Sequence, residues 1–233
     1  MVALLLALAA LATPAPEVSP APAAAAPARA AAPRPRLTRR FIPLTAQRRH
    51  DTAAYARRHY GLDTTTVQPR AIVEHWTEND SVDATWNTFA PNVPDVELHE
   101  RPGTCAQFVI ARSGRIFQLT PVTFLCRHTV GLNWAAIGIE HVGHSDGQVL
   151  SNAAQLAASL RLTRWLRCTY DIPVSDVIGH AESLSSPFHR ERVASLRRQT
   201  HDDFQPAAMN RYRARLQALG ECPRAAPERR APS

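Results

Sequence analysis

Along the chain, apolar residues come in short blocks separated by polar and Pro- or Gly-containing stretches, and the period inside each block assigns it. "RAIVEHWT" (70–77) follows Pro69, is β-rich and turns polar at its end, which predicts a buried strand. "TCAQFVIARSGRIFQLT" (104–120) predicts two strands folded about Ser113-Gly114, a hairpin. "AAIGIEHVG" (135–143) predicts a further strand, thinned at its centre by Gly138. "TAAYARRHYG" (52–61) predicts a short helix stopped by Gly61, and "SNAAQLAASLRLTRWLRCTY" (151–170) a long one that Ser151 can cap. "DIPVSDVIGH" (171–180) holds a connection and a short strand ending at Gly179-His180. "PAAMNRYRARLQALG" (206–220) is a terminal helix with Pro206 at its start and Gly220 at its end. The polar stretch from Glu78 to Gly103 has no strong period and reads as a long loop with at most a helical turn; such loops in compact domains are often functional. Strands interleaved with helices predict an α/β fold, a central mixed β-sheet flanked by helices.

The two ends read differently. "MVALLLALAALA" (1–12) has the length and apolarity of a signal peptide, with a small-residue cleavage site before Thr13, and is too short to span a bilayer. Its positive n-region is missing, which leaves a truncated start open. Residues 13–40 are Pro/Ala-rich and read as an extended linker, residues 41–222 as the folded domain, and residues 223–233 as a tail without structure. This predicts an exported chain, secreted or associated with the cell wall, with no stable membrane insertion once mature.

Charge changes the picture less than it first suggests. The net charge is +7, and all 27 basic residues are Arg. Residues 1–40 and 223–233 hold eight Arg against two Glu, whereas residues 41–222 hold nineteen Arg against eighteen acids. The basicity belongs to the ends, so the folded part carries no nucleic-acid footprint. Cys105, Cys126, Cys168 and Cys222 show no C-x-x-C spacing; an even count in an exported chain suggests two disulfides. Of three pairings, Cys105–Cys126 with Cys168–Cys222 joins elements that could be neighbours, while free buried thiols are the alternative if the chain is not exported.

Four places carry candidate chemistry. His75 and His180 each end an apolar strand, and strand ends at one sheet edge are where ligands gather. Each taken singly could equally be a histidine hydrogen-bonded at the rim of a core. Glu140 ends "AIGIE"; alternation puts it on the face opposite Ile137 and Ile139, where a carboxylate costs desolvation unless it has a partner or a role. It suits a general base or a strand-end ion pair. "THDDF" (200–204) sets His201, Asp202 and Asp203 before the last helix, where aspartates also suit capping. Two histidines and a carboxylate with an open fourth position form a catalytic zinc set, so the residues point to a zinc hydrolase without a short-spaced motif to fix it.

Taken in order, "AIVEHWT", "CAQFVIARSGRIFQLTP", "RHTVGLNWAAIGIEHVG", "VIGHAES" and "THDDF" resemble the amidase-2 family of zinc-dependent N-acetylmuramoyl-L-alanine amidases, relatives of T7-type lysozyme and of peptidoglycan recognition proteins. The likeness runs from about Arg70 to about Leu219. It implies that His75, His180 and Asp203 hold Zn2+, with Asp202 the alternative third ligand, and that Glu140 is the general base. It puts His201 where relatives carry Lys, as a donor to the oxyanion, and His128 and Asn133 on the substrate side. It further implies a monomer that takes peptidoglycan or muropeptides and hydrolyses the amide between N-acetylmuramic acid and L-alanine. A non-catalytic peptidoglycan-binding module, or a zinc hydrolase of another amide, are the rival readings. "SPFHRERVASLRRQ" (186–199) could line the cleft or be a solvated loop.

Overall fold

The structure, a computed structural model, describes residues 32–222. The expected signal peptide, most of the linker and the tail lie outside the described residues. Six strands form one sheet in the order β1-β4-β3-β5-β2-β6. They are β1 (Leu37–Arg39), β2 (Ala71–Trp76), β3 (Phe108–Ile110), β4 (Ile116–Gln118), β5 (Ala136–His141) and β6 (Val177–Gly179). All neighbours run parallel except the β3–β4 hairpin, so the sheet is mixed, as the pattern predicts. The helices are α1 (Ala46–Tyr60), α2 (Val82–Phe89), α3 (Asp146–Ser151), α4 (Ala153–Tyr170) and α5 (Pro206–Ala218).

The central strands β2 and β5 are buried from both sides, which is why both read as apolar runs rather than clean alternations. Ile72, Ile110, Ile137 and Ile139 point to the face covered by α4 and α5, where Leu162, Leu166, Met209 and Leu216 complete the main core. Smaller apolar clusters on the opposite face carry Val73, Ala136 and Val109. That face also carries the cleft.

Several sequence expectations shift. The linker assigned to 13–40 is not structureless to its end: β1 lies inside it, and the backbone of Arg40 and Ile42 continues onto Gln118 and Leu119. A three-residue edge strand has no period of its own and exists only by pairing with β4. Helix α1 starts at Ala46, because Thr45 accepts a bond from the Arg48 amide and caps it. The expected loop 78–103 contains the two-turn α2, capped by Ser81. The helix expected at 151–170 begins at Ala153, capped by Asn152 rather than by Ser151, which ends α3. Both disulfides form as the neighbouring elements suggested, Cys105–Cys126 and Cys168–Cys222. Among the described residues, no helix is long and apolar enough to cross a membrane.

Candidate metal and catalytic site

The site sits at the ends of β2, β5 and β6. Parallel pairing sets His75 of β2 directly beside Glu140 of β5. Alternation turns both toward the cleft, while Ile72 and Glu74 turn to the helices. His180 follows β6, whose pairing with β2 places Gly179 beside Glu74. Asp203 arrives from a distant segment, the turn before α5. Gly179 makes room for that turn: a Cβ there would lie 1.9 Å from the Phe204 carbonyl oxygen. Phe204 itself takes a left-handed backbone, φ 54, which turns the chain sharply after Asp203.

Three side chains converge. His75 Nδ1 lies 2.8 Å from Asp203 Oδ2, and His180 Nδ1 lies 3.2 Å from Asp203 Oδ1. One ligand atom from each of the three falls within 4.8 Å of the others, and all three residues are buried. Asp202, the alternative ligand, is exposed and accepts from Gln205 Nε2 instead. Of the adjacent aspartates, Asp203 is the one that meets both histidines.

Electrostatics around the cluster follow from burial and from this one carboxylate. Burial works against the Asp203 carboxylate, but His75 and His180 outweigh it and hold it far below the usual carboxylate range. Burial likewise opposes protonation of His75, and Asp203 with Glu140 and Glu74 overcomes it, so His75 titrates higher than a free histidine. Burial pushes His180 down to about 4. Burial pushes Glu140 up to about 7, with His75 pulling the other way. Glu140 Oε2 and His180 Nε2 are both sealed from solvent and have no hydrogen-bond partner among the described residues. Buried polar atoms left open in a folded protein call for a ligand or a role.

His128 joins the cluster from the side. Its Nδ1 is 3.2 Å from His75 Nε2 and 2.9 Å from Thr129 Oγ1, and Thr129 Oγ1 in turn lies 3.3 Å from His75 Nε2. Its ring lies over Gly138, where a Cβ would come within 2.8 Å of it. The glycine that thins β5 is therefore the seat of the His128 ring. Burial, reinforced by His75 and His180, pushes His128 well below the ordinary histidine value, so it stays neutral.

Asn133 lies behind His128. Its side-chain oxygen accepts from the amides of His128 and Thr129, and its nitrogen donates to the hydroxyls of Tyr55 and Tyr60. Fully buried with its amide so engaged, it holds the 128–129 turn in place where that turn borders the cleft. His201 stacks on His180 with ring centroids 4.8 Å apart, and its Nε2 lies 3.0 Å from Glu97 Oε2. It stands at the rim, half-exposed, over the His75–His180–Asp203 cluster rather than within it.

A cleft of about 870 Å³ opens in front of these groups, lined among others by Glu78, Phe89, Val93, Val96, Glu97 and Thr200. Of the stretch 186–199, only Gln199 lines it. Most of that stretch is anchored elsewhere: Glu191 bonds the buried His59 at 2.9 Å, and the Arg192 amide bonds the His59 carbonyl. Sequence reasoning missed Glu97, Thr129 and Asp146. Asp146 follows a serine at a helix start, a pattern that reads as nothing more than capping.

The model for the family described as N-acetylmuramoyl-L-alanine amidase matches residues 65–206. No curated protein matches the chain. Among solved structures, it is similar to the endolysin N-acetylmuramoyl-L-alanine amidase LysCS from Clostridium intestinale URNW, at 18% identity and a TM-score of 0.49, over 80% of this chain and 98% of that one. A mutant endolysin from Bacillus subtilis gives 20% identity and a TM-score of 0.47, over 78% of this chain and 98% of that one. PGRP-SA from Apis mellifera gives 19% and 0.38, over 50% of this chain and 74% of that one.

Proposed function

The chain belongs to the N-acetylmuramoyl-L-alanine amidase family, and we propose that it cleaves the amide between the lactyl group of N-acetylmuramic acid and L-alanine in peptidoglycan, with zinc held by His75, His180 and Asp203. The observation that carries this reading is the meeting of those three side chains with the unpartnered Glu140 carboxylate at the floor of one cleft.

The residues fit the metal. Two imidazoles and one carboxylate supply the three protein donors of a catalytic zinc site, which keeps a fourth position open. Both Nδ1 atoms already face one carboxylate, so a cation at their centre would replace contacts that protons otherwise make. When bound there, zinc supplies Lewis acidity, acidifying a water and polarising the scissile carbonyl.

The rest is done by the chain itself. Glu140, across the strand from His75, takes the proton of the attacking water and returns it to the leaving amine of L-alanine. Burial raises its affinity for protons above that of an ordinary carboxylate, which suits a group that must accept one. His201 donates to the oxygen of the tetrahedral intermediate, giving up its contact with Glu97 when substrate enters. His128, neutral and seated on Gly138, borders the substrate side. Two disulfides and a wall substrate together favour work outside the cytoplasm.

The test is metal analysis of the purified protein with release of free stem peptide from peptidoglycan. Glu140→Gln is expected to keep the metal and lose about 10²–10⁴-fold in kcat. Protein that takes up no zinc, together with a Glu140→Gln variant at full turnover, would falsify the reading.

A further inference from the structure

Beyond the three ligand side chains, Asp146 occupies an unusual place. It is the first residue of α3, yet its carboxylate does not cap that helix. Ser145 does so, its hydroxyl accepting from the Gln148 amide. The Asp146 oxygens point away, to three donors on two other segments. Oδ1 accepts from Trp76 Nε1 at 3.0 Å and from the Phe204 amide at 2.9 Å, and Oδ2 accepts from the Gln205 amide at 3.0 Å. Trp76 follows His75, and Phe204 follows Asp203.

These bonds close a ring around the cluster. The β2–β6 pairing ties the His75 segment to the His180 segment. The Ala181 amide donates to the Asp203 carbonyl at 3.1 Å, which ties the His180 segment to the Asp203 segment. Asp146 supplies the remaining side, from the Asp203 segment back to the His75 segment. The turn it holds is conformationally demanding, since Phe204 sits at φ 54 with its carbonyl against Gly179. Without acceptors for the Phe204 and Gln205 amides, that turn has less to fix where Asp203 points. A group in this relation to the ligands governs how well they are arranged before metal arrives.

We infer that Asp146 is a positioning residue for metal binding, which aligns Asp203 against His75 without touching either. The inference rests on the zinc reading above. Zinc affinity measured by competition against a chromogenic chelator tests it, with the visible absorption of the cobalt-substituted protein as a report on ligand geometry. Asp146→Ala is expected to weaken zinc binding by about 10–100-fold and to alter the cobalt spectrum. Asp146→Asn, which keeps one acceptor, should fall between it and the parent. Trp76→Phe removes a single donor and keeps the ring, so it should cost only a few-fold, and it carries the test together with Asp146→Asn if the alanine variant does not fold. Zinc affinity and a cobalt spectrum equal to the parent's in Asp146→Asn and Trp76→Phe would overturn the inference, even with a lowered Tm, because Asp146 would then brace the fold alone. If the parent itself binds no zinc, it is the functional reading that falls.

Discussion

Replacing Glu74 by Gln should make the protein more stable at neutral pH. Glu74 lies on β2 next to His75 but faces the opposite way, into the helices, and is fully buried. Its Oε1 accepts from Thr163 Oγ1 at 2.8 Å, while its Oε2 has no hydrogen-bond partner among the described residues. The nearest basic group, His141 Nε2 at 3.7 Å, is itself kept neutral, pushed down to about 4 by burial. Burial pushes the Glu74 carboxyl up to about 7, although Thr163 and the nearby Tyr212 hydroxyl work the other way. In the unfolded chain it titrates near its ordinary value of 4.5. Below that pH both states hold the proton and Glu74 contributes nothing. Between about 4.5 and about 7 the unfolded state has released the proton and the folded state has not, so stability falls as pH rises; above about 7 the penalty stays constant. The interval, about 2.5 in pH at about 1.4 kcal/mol per unit, amounts to about 3 kcal/mol. Glutamine keeps the acceptor for Thr163 and has no proton to lose. Urea unfolding of both proteins from pH 4 to pH 8, at matched metal content, gives the difference in stability at each pH. Taking the difference cancels Glu140 and His180, on which Glu74 does not act. The difference should grow by about 3 kcal/mol in favour of Glu74→Gln between pH 4.5 and 7 and be flat on either side. A difference that does not change with pH would show that Glu74 is ionised in the folded protein, and the burial argument would fail.

Gly179→Ala should damage the site more than the fold around it. The new Cβ would meet the Phe204 backbone 1.9 Å away and drive the Asp203 turn off β6, so zinc binding measured by chelator competition should fall by at least tenfold. Removing the Cys168–Cys222 bridge by Cys168→Ser with Cys222→Ser opens a loop of sequence separation 54, which on chain-entropy grounds costs about 4 kcal/mol. Thermal unfolding should record this as a drop of roughly 8–16 °C; an unchanged Tm would mean that the end of the chain is held to α4 by packing alone.

How much was legible follows from what each feature depends on. The strands carrying His75, Glu140 and His180 were readable because their apolar runs are intrinsic to the sequence. So was the side to which Glu140 points, since alternation along a strand is covalent geometry. Strand β1 was not, because Leu37–Arg39 becomes a strand only by meeting the free edge of β4. Which of Asp202 and Asp203 meets the two histidines depends on a left-handed Phe204 and on Gly179 below it, residues far apart in sequence that only the fold sets in contact. Nothing in the sequence signals the Asn133 side-chain partners Tyr55 and Tyr60, which lie on α1, more than seventy residues away. Asp146 gave no signal because its donors are one indole and two backbone amides, and backbone donors leave no trace in side-chain identity.

The two central strands carry the same dipeptide at or next to their ends, Glu74-His75 on β2 and Glu140-His141 on β5. Had the strands paired with these dipeptides side by side, each face would carry like beside like, two glutamates on one and two histidines on the other. Instead the register sets His75 beside Glu140, offset by one residue. A one-residue offset reverses which face each side chain takes. The cleft therefore receives His75 and Glu140, and the helix face receives Glu74 and His141. The two pairs are made of the same residue types, and both carboxylates are pushed to about 7 by burial. What separates them is what lies in front. Before Glu74 and His141 stand Thr163, Ser159 and Tyr212, whose hydroxyls bond to one another and fill the space. Before Glu140 and His75 lie the cleft, His180 and Asp203. A raised carboxylate pKa is therefore shared by a sealed pair and a cleft-facing one in this protein, and on the proposed reading it is access to a substrate and to a third ligand that makes the second one reactive.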